Sequence, residues 1–347
     1  MKEIGFHKEE TTGHYLNPFD GFHPKELPIE VRYDEITGVA SRILPYRVRP
    51  AHRPDTDAYL EKSPPSICPF CPELFDKLTP KFTSDFLPEG KFKKGDACLF
   101  PNAFPYDATN TVAIFSSRHF IPLDQLTPET MHAGFAVCRD YFYHIAEIQP
   151  GYRFCSINWN YMPPSGGGLI HPHLQTIVSK KPTNFVRRLL ASACNYEHAS
   201  GGGNLWRNLL VIEQEAAKRF IANTGTISWL TAFSPKGMAG EVDFYFREKT
   251  SFFDLTEANF NEMLDGLSRI FYHLYVNNFI SFNMSIYATM VPEKNFWVHG
   301  RIVPRFEINP LGTSDLNYFE KLHDEIICPV VPEELARELQ AYFTAHE

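Results

Sequence analysis

The alternation of apolar and polar positions changes character along the chain, and the changes mark its organisation. The first sixty residues follow no clear period and are rich in Pro, His and Arg. They read as an extended arm with one short strand pair around Asp34-Glu35-Ile36-Thr37-Gly38. Residues 62–72 form a Pro/Cys knuckle. From Ala97 short apolar runs begin, predicting strands at Ala97–Pro101 and Thr111–Phe115, the second ending in Ser116-Ser117-Arg118-His119. Thr127-Pro128 opens a helix, with Thr as N-cap and Pro at the first helical position, which runs to about Glu147 and stops near Pro150-Gly151. Tyr152–Asn158 reads as a strand. A loop, Pro163-Pro164-Ser165-Gly166-Gly167-Gly168, then leads to a last strand at Leu169–Val178.

The second half repeats this order. Trp229–Phe233 and Val242–Phe246 are strands, Asp254-Leu255-Thr256 enters a helix ending near Asn278, and Ser281–Tyr287 and Phe296–Val303 are strands again. Val112–Thr127 resembles Val242–Thr256, and Phe154–Val178 resembles Phe282–Val303, at a period of roughly 130 residues, too long for a solenoid. An internal duplication of an α/β unit accounts for this; two independent strand-helix-strand runs would match as coarsely. The expected division is an arm and strand pair over 1–60, a first half over 61–185 with knuckle and candidate catalytic strand, and a second half over 186–347.

Composition narrows the function classes. At 347 residues the chain can hold two domains or one large α/β body. The aromatic share is high, 14 %, with 30 Phe and 16 Tyr, which favours a Phe-rich core over a base-stacking surface. The net charge is −8 and no Lys/Arg cluster is dense enough to track a phosphate backbone, which argues against nucleic acid as a partner. A nucleotide stays open, because a small anion needs few cations. The first residues carry no apolar run of the secretory kind, and no stretch approaches the roughly 20 apolar residues of a membrane helix. Seven cysteines with one close pair, Cys68 and Cys71, point to a reducing cytoplasm and metal ligation rather than a disulfide framework.

The chemistry concentrates in Ile170-His171-Pro172-His173-Leu174-Gln175-Thr176. Pro172 disfavours helix at His171, so the segment is extended, and alternation puts His171, His173 and Gln175 on one face. Three glycines just before it let backbone N–H groups approach an anion. Two imidazoles and an amide facing a phosphate-sized pocket suit attack on phosphorus, and neutral imidazole is a nucleophile near pH 7. A metal-binding His pair or two surface histidines is the plainer alternative; the glycine loop and Gln175 favour catalysis.

Ser66-Ile67-Cys68-Pro69-Phe70-Cys71-Pro72 offers two thiolates at C-x₂-C spacing to one zinc, and His119 and His171 are the natural remaining pair. A redox CxxC is the rival, but the strand-to-helix context of such motifs is missing. Arg47 and Arg49, in Pro45-Tyr46-Arg47-Val48-Arg49-Pro50, are candidate phosphate clamps or an ordinary solvated basic stretch.

Together these motifs resemble the galactose-1-phosphate uridylyltransferase family of the histidine-triad superfamily. Cys-Pro-Phe-Cys-Pro at 68–72, His119, His171-Pro172-His173-Leu174-Gln175 and the Thr37-Gly38 to Arg49-Pro50 stretch carry the likeness, which covers roughly residues 30 to 340. The resemblance implies an α/β (α+β) duplicated histidine-triad-like fold, two halves each with an antiparallel sheet and a packed helix, in a homodimeric cytoplasmic enzyme of carbohydrate (galactose) metabolism. It implies structural zinc at Cys68, Cys71, His119 and His171. It makes His173 the nucleophile that carries a nucleotidyl group from a nucleotide sugar such as UDP-glucose to a sugar 1-phosphate by ping-pong transfer. Gln175 would bind a phosphoryl oxygen, Arg47 and Arg49 the phosphates, and Asn102 the nucleotide. Gly168 stands where the family often has Ser, and Ser165 is the candidate substitute beside Gly166 and Gly167. The last strand reads Trp297-Val298-His299, and Tyr287 stands where a His could, so a second metal of the His-x-His kind is not expected; Cys194 and His198 are expected in a loop. The segment around Phe319-Glu320-Lys321 and Cys328-Pro329 looks closer to ADP-glucose phosphorylase-like relatives, which makes nucleotide-sugar phosphorolysis the alternative activity. A non-catalytic nucleotide-binding zinc module and a nucleotide hydrolase are the readings from other classes.

Overall fold

The computed structural model describes residues 4–47, 54–308 and 311–344. In chain order the strands are β1 (Lys8–Asn17), β2 (His23–Tyr33), β3 (Ala40–Ile43), β4 (Phe92–Lys94), β5 (Ala97–Pro101), β6 (Thr111–Ile114), β7 (Phe154–Tyr161), β8 (His173–Ser179), β9 (Phe220–Thr224), β10 (Ile227–Thr231), β11 (Val242–Phe246), β12 (Ser281–Thr289), β13 (His299–Arg305), β14 (Glu307–Ile308), β15 (Thr313–Ser314) and β16 (Ile326–Cys328). The helices are α1 (Asp57–Lys62), α2 (Pro72–Leu78), α3 (Pro128–Ile148), α4 (Asn184–Ser200), α5 (Leu205–Ala216), α6 (Glu257–Val276), α7 (Tyr318–His323) and α8 (Pro332–Thr344). Among the described residues no helix is long and apolar enough to cross a membrane.

A ten-stranded antiparallel sheet forms the body, in the order β4-β5-β6-β8-β7-β12-β13-β11-β10-β9. Read from the β7–β12 seam outward, both directions run through equivalent strands. The register repeats as well: Ile114 lies opposite His173 in the first half, as Tyr245 lies opposite His299 in the second. The repeat suspected in the sequence is thus a pseudo-twofold relation within one continuous sheet. Side-chain alternation gives the sheet two faces. Cys155, Ile157, Trp159 and Tyr161 of β7 point with Leu174 and Val178 of β8 toward α3, while Phe244, Ile302 and Met284 meet α6 in the same core. Each long helix starts where the sequence predicts: Thr127 Oγ1 accepts from the Thr130 amide, and Thr256 forms a reciprocal cap with Asn259.

The other face is covered at its two ends and open between them. Over the first half sits the knuckle, where Cys68, Phe70 and Cys71 pack on Cys98, Phe100, Val112 and Ile114. Over the second lie α4 and α5, with Trp206, Leu209 and Leu210 against Leu230, Tyr245 and Trp297. Cys194 and His198, expected in a loop, lie within α4. A separate sheet, β1-β2-β3-β16, carries the N-terminal segment; the strand pair expected around Asp34–Gly38 is β2–β3, and the expected extended arm before it is a long hairpin, β1–β2.

Candidate active site and metal centre

Four side chains from three separate segments converge beneath the knuckle. The nearest donor atoms of Cys68, Cys71, His119 and His171 all lie within 4.8 Å of one another. Cys71 Sγ is 3.2 Å from His119 Nδ1 and 3.7 Å from His171 Nδ1, and Cys68 Sγ is 3.8 Å from His171 Nδ1. Metal bonds of about 2.3 Å to sulfur and about 2.0 Å to nitrogen place tetrahedral donors roughly 3.3–3.8 Å apart, so the set fits a zinc ion. The imidazoles are prepared for it. His119 Nε2 donates to the Ser63 carbonyl at 2.7 Å and His171 Nε2 to the Ser116 carbonyl at 2.8 Å, which leaves both Nδ1 lone pairs facing the sulfurs. Burial pulls the His171 pKa down to about 4, against the Ser116 bond, keeping the ring neutral. Burial and the neighbouring Cys68 push the Cys71 thiol up to about 12, so ionising the pair calls for a cation between the sulfurs.

The strand anticipated from Leu169 begins only at His173. Pro172 has no N–H to give to a ladder, and the chain before it is bent, so that His171 reaches the cysteines. His173 stands at the first rung of β8. Its Nδ1 donates to the His171 carbonyl at 2.8 Å, leaving Nε2 with a free lone pair; burial lowers its pKa. Phe70, from between the two cysteines, packs edge-on against both rings, 5.9 Å from His171 and 5.3 Å from His173 between ring centres. One residue of the knuckle thereby ties the metal ligands to the histidine beyond them.

Gln175 is half-buried on the same face, and its Oε1 accepts from Asn102 Nδ2 at 3.3 Å. Asn102 in turn is held by Asn110 at 2.8 Å and caps the following turn through the Phe104 amide. The glycine loop lies at the end of β7. Ser165 is buried and its hydroxyl donates to the Met162 carbonyl at 2.7 Å, so it closes the turn. Gly166 takes the left-handed conformation, φ 85°, that makes the turn possible, and a Cβ on Gly167 would stand 3.0 Å from the Met162 carbonyl oxygen. Gly166 and Gly168 are exposed. Arg47 is exposed in the turn after β3, where its amide donates to the Leu44 carbonyl; Arg49 lies outside the described residues.

The structure adds groups that sequence reasoning missed. Across the seam, Gln175, Asn158 and Ser285 stand in one row, by register and by the bond from Ser285 Oγ to Asn158 Oδ1 at 2.8 Å. Beside them Asn283 Nδ2 donates to Asn160 Oδ1 at 2.7 Å and to the Ser165 carbonyl at 2.9 Å, and Arg305 donates to Asn283 Oδ1. These half-buried groups form a polar row on the same face of the sheet as His173. Their signal was present in the alternation of Asn158 and Asn160 with Trp159 and Tyr161, but a strand with one polar face ordinarily faces plain solvent.

In the second half the equivalent positions have been rebuilt. His299 keeps the bond from Nδ1 to the carbonyl two residues back, that of Trp297, at 2.8 Å. Trp297 stands in the place of His171 and Arg301 in that of Gln175. Trp206 stacks on His299 at 5.2 Å and Tyr245 at 5.7 Å, and burial pulls the His299 pKa down to about 3. Both histidines are buried, but only that of the first half stands beside a Cys/His set that could hold a metal.

No protein-family model matches the chain. A protein of Archaeoglobus fulgidus described as uncharacterized is 28% identical over 320 residues, covering 91% of this chain and 93% of that one. Among solved structures, a GalT-like protein from Arabidopsis thaliana superposes with a TM-score of 0.67 at 16% identity, covering 89% of this chain and 98% of the other. An ADP-glucose phosphorylase from Arabidopsis thaliana with bound ADP-glucose gives 0.66 at 16% identity, over 90% and 98%. A uridylyltransferase gives 0.60 at 19% identity, over 91% and 99%. The duplicated sheet and its paired helices are thus the fold of the GalT-like proteins, shared with uridylyltransferase and ADP-glucose phosphorylase.

Proposed function

We propose that the chain is a nucleotidyltransferase in which His173 Nε2 carries a nucleoside monophosphate. The observation that supports this most directly is the bond from His173 Nδ1 to the His171 carbonyl, which puts the proton on Nδ1 and leaves the Nε2 lone pair available for attack on phosphorus. In the first step Nε2 attacks the α-phosphorus of a nucleotide sugar. A P–N bond forms, the bond from the α-phosphorus to the bridging oxygen breaks, and the sugar 1-phosphate leaves with the electron pair. In the second step a phosphate oxygen of the acceptor attacks the same phosphorus and the P–N bond breaks, restoring the imidazole. Because Gln175 Oε1 is engaged by Asn102, its amide N–H groups remain to donate to a phosphoryl oxygen as charge builds on it. The amides around Gly166, Gly167 and Gly168 are suited to the remaining oxygens, with Ser165 shaping the loop. Asn102 is assigned the nucleotide, and Arg47 and Arg49 the phosphates on the resemblance alone. Zinc held by Cys68, Cys71, His119 and His171 would supply a structural cross-link between the knuckle and the start of β8.

The leading substrate assignment is hexose-1-phosphate uridylyl transfer, with UDP-glucose as donor. A nucleotide-sugar phosphorylase, with inorganic phosphate as acceptor, is the second reading; the likeness to the ADP-glucose phosphorylase structure favours it. Intact-mass measurement after incubation with UDP-glucose or ADP-glucose and an alkaline quench tests both. A uridylyl adduct absent from His173→Asn and discharged by galactose 1-phosphate supports the transferase. An adenylyl adduct discharged by phosphate supports the phosphorylase. Absence of any adduct with product removed refutes the covalent route. A homodimer is part of the same proposal, and light scattering after size exclusion checks it.

A further inference from the structure

The helix-bearing face of the sheet, opposite to the one that carries His173, holds a cavity of about 170 Å³. It lies where α6, α8 and the core-facing side of β11 and β13 meet, and its walls are apolar: Met238, Phe279, Ile302, Phe306, Leu335 and Leu339 are among them. An apolar cavity of about 150 Å³ holds one benzene-sized ring, so this one suits a six- or seven-carbon body. Its polar groups gather at one side. His273 comes from the last turn of α6 and Asn277 caps that helix, while Glu334 and Glu338 come from successive turns of α8 and are exposed at the surface.

His273 needs an explanation in its own right. It is 4% exposed, its Nε2 has no hydrogen-bond partner, and the nearest carboxylate oxygen, Glu338 Oε2, is 3.6 Å away. A buried ring nitrogen without a partner costs stability unless something else satisfies it. Among the described residues no lysine or arginine lines the cavity, so it repels phosphates and carboxylates. A ligand with a ring- or chain-sized apolar body and an ammonium group satisfies all of these features. The body fills the cavity, one N–H is donated to His273 Nε2, and the charge faces Glu334 and Glu338.

We infer that this cavity is a binding site for a small apolar ammonium compound, separate from the His173 site. Calorimetric titration of the zinc-loaded protein at neutral pH with cyclohexylmethylamine, cyclohexylmethanol and cyclohexanecarboxylate tests it. The amine is expected to bind most tightly, the alcohol more weakly, and the carboxylate not at all. Glu338→Gln, on an exposed position, is expected to weaken the amine by about threefold to fivefold and leave the alcohol unchanged. Val330→Phe, which fills the cavity from its wall, is expected to abolish both; should that variant fail to fold by circular dichroism, the Glu338→Gln comparison decides alone. Absence of binding by the amine, binding of the carboxylate as tight as the amine, or amine affinity unmoved by Glu338→Gln would overturn the inference.

Discussion

Gln175 and Arg301 occupy equivalent positions in the two halves, and their replacement should have opposite consequences. Arg301 is buried, 3.2 Å from Glu241, 3.3 Å from Asp243 and 3.6 Å from Asp34, and lies over the Phe185 ring. Replacing it with Met keeps volume but leaves three buried carboxyl groups without their shared cation, a change that costs about 3–5 kcal/mol. The cost must depend on pH. Burial already raises the Asp243 pKa well above its ordinary value, and Arg301 opposes the rise. A carboxyl with a raised folded-state pKa binds its proton more tightly in the folded chain, so its contribution is complete below the unfolded value. Stability is then lost as pH rises toward the folded value. Removing Arg301 extends that window upward, and each pH unit within it is worth about 1.4 kcal/mol per proton. Urea unfolding of Arg301→Met should therefore show a larger loss at high pH than at low pH, with nucleotidyl transfer retained below the transition. Gln175→Ala, at a half-buried site with one long hydrogen bond, should change stability by less than about 1 kcal/mol and slow adduct formation by about 10²–10³-fold. A pH-independent loss in Arg301→Met, or a loss below about 1 kcal/mol, would refute the reasoning about the cluster.

Stripping the metal with a chelator should lower the melting temperature and release one zinc equivalent by mass spectrometry, and Cys71→Ser should reproduce the effect; an unchanged melting curve with no metal released argues against the site. Gly167→Ala forces a methyl to about 3 Å from two backbone carbonyl oxygens, those of Met162 and Asn160, which cannot yield as a side chain would. It is expected to reduce adduct formation more than tenfold with the remaining sheet intact, and a fully active variant would show that the loop does not contact phosphate. Asn102→Ala should slow transfer through loss of the Gln175 amide orientation, read as a lower rate at saturating nucleotide sugar; an effect confined to substrate affinity would limit Asn102 to nucleotide binding.

The local pattern already contained the elements whose reasons are local. Thr127-Pro128 and Thr256 announce the two long helices because a cap and its acceptors lie within four residues. The alternation in β7 and the apolar run in β11 announce strands of the body. The convergence of Cys68, Cys71, His119 and His171 was legible because Cys and His at those spacings serve few other purposes. Elements whose reasons are distant were missed. The helices α4 and α5 cover a face of the sheet that no local signal exposes, and the β1–β2 hairpin pairs over a span that looks like an aperiodic arm.

By itself, then, the sequence determined the periodicities, the caps, the knuckle and the choice of His173 as the candidate nucleophile, each read from residues close in the chain. The tertiary structure decided what those residues face. It joined the two halves along the β7–β12 seam, and so turned Asn158, Asn160, Asn283 and Ser285 from ordinary polar strand positions into a hydrogen-bonded row. It laid Trp206 on His299 and Phe70 of the knuckle on His173, although both histidines make the same bond to the backbone. Which side chain is covered depends on residues far away in the chain, and no period or spacing carries that information.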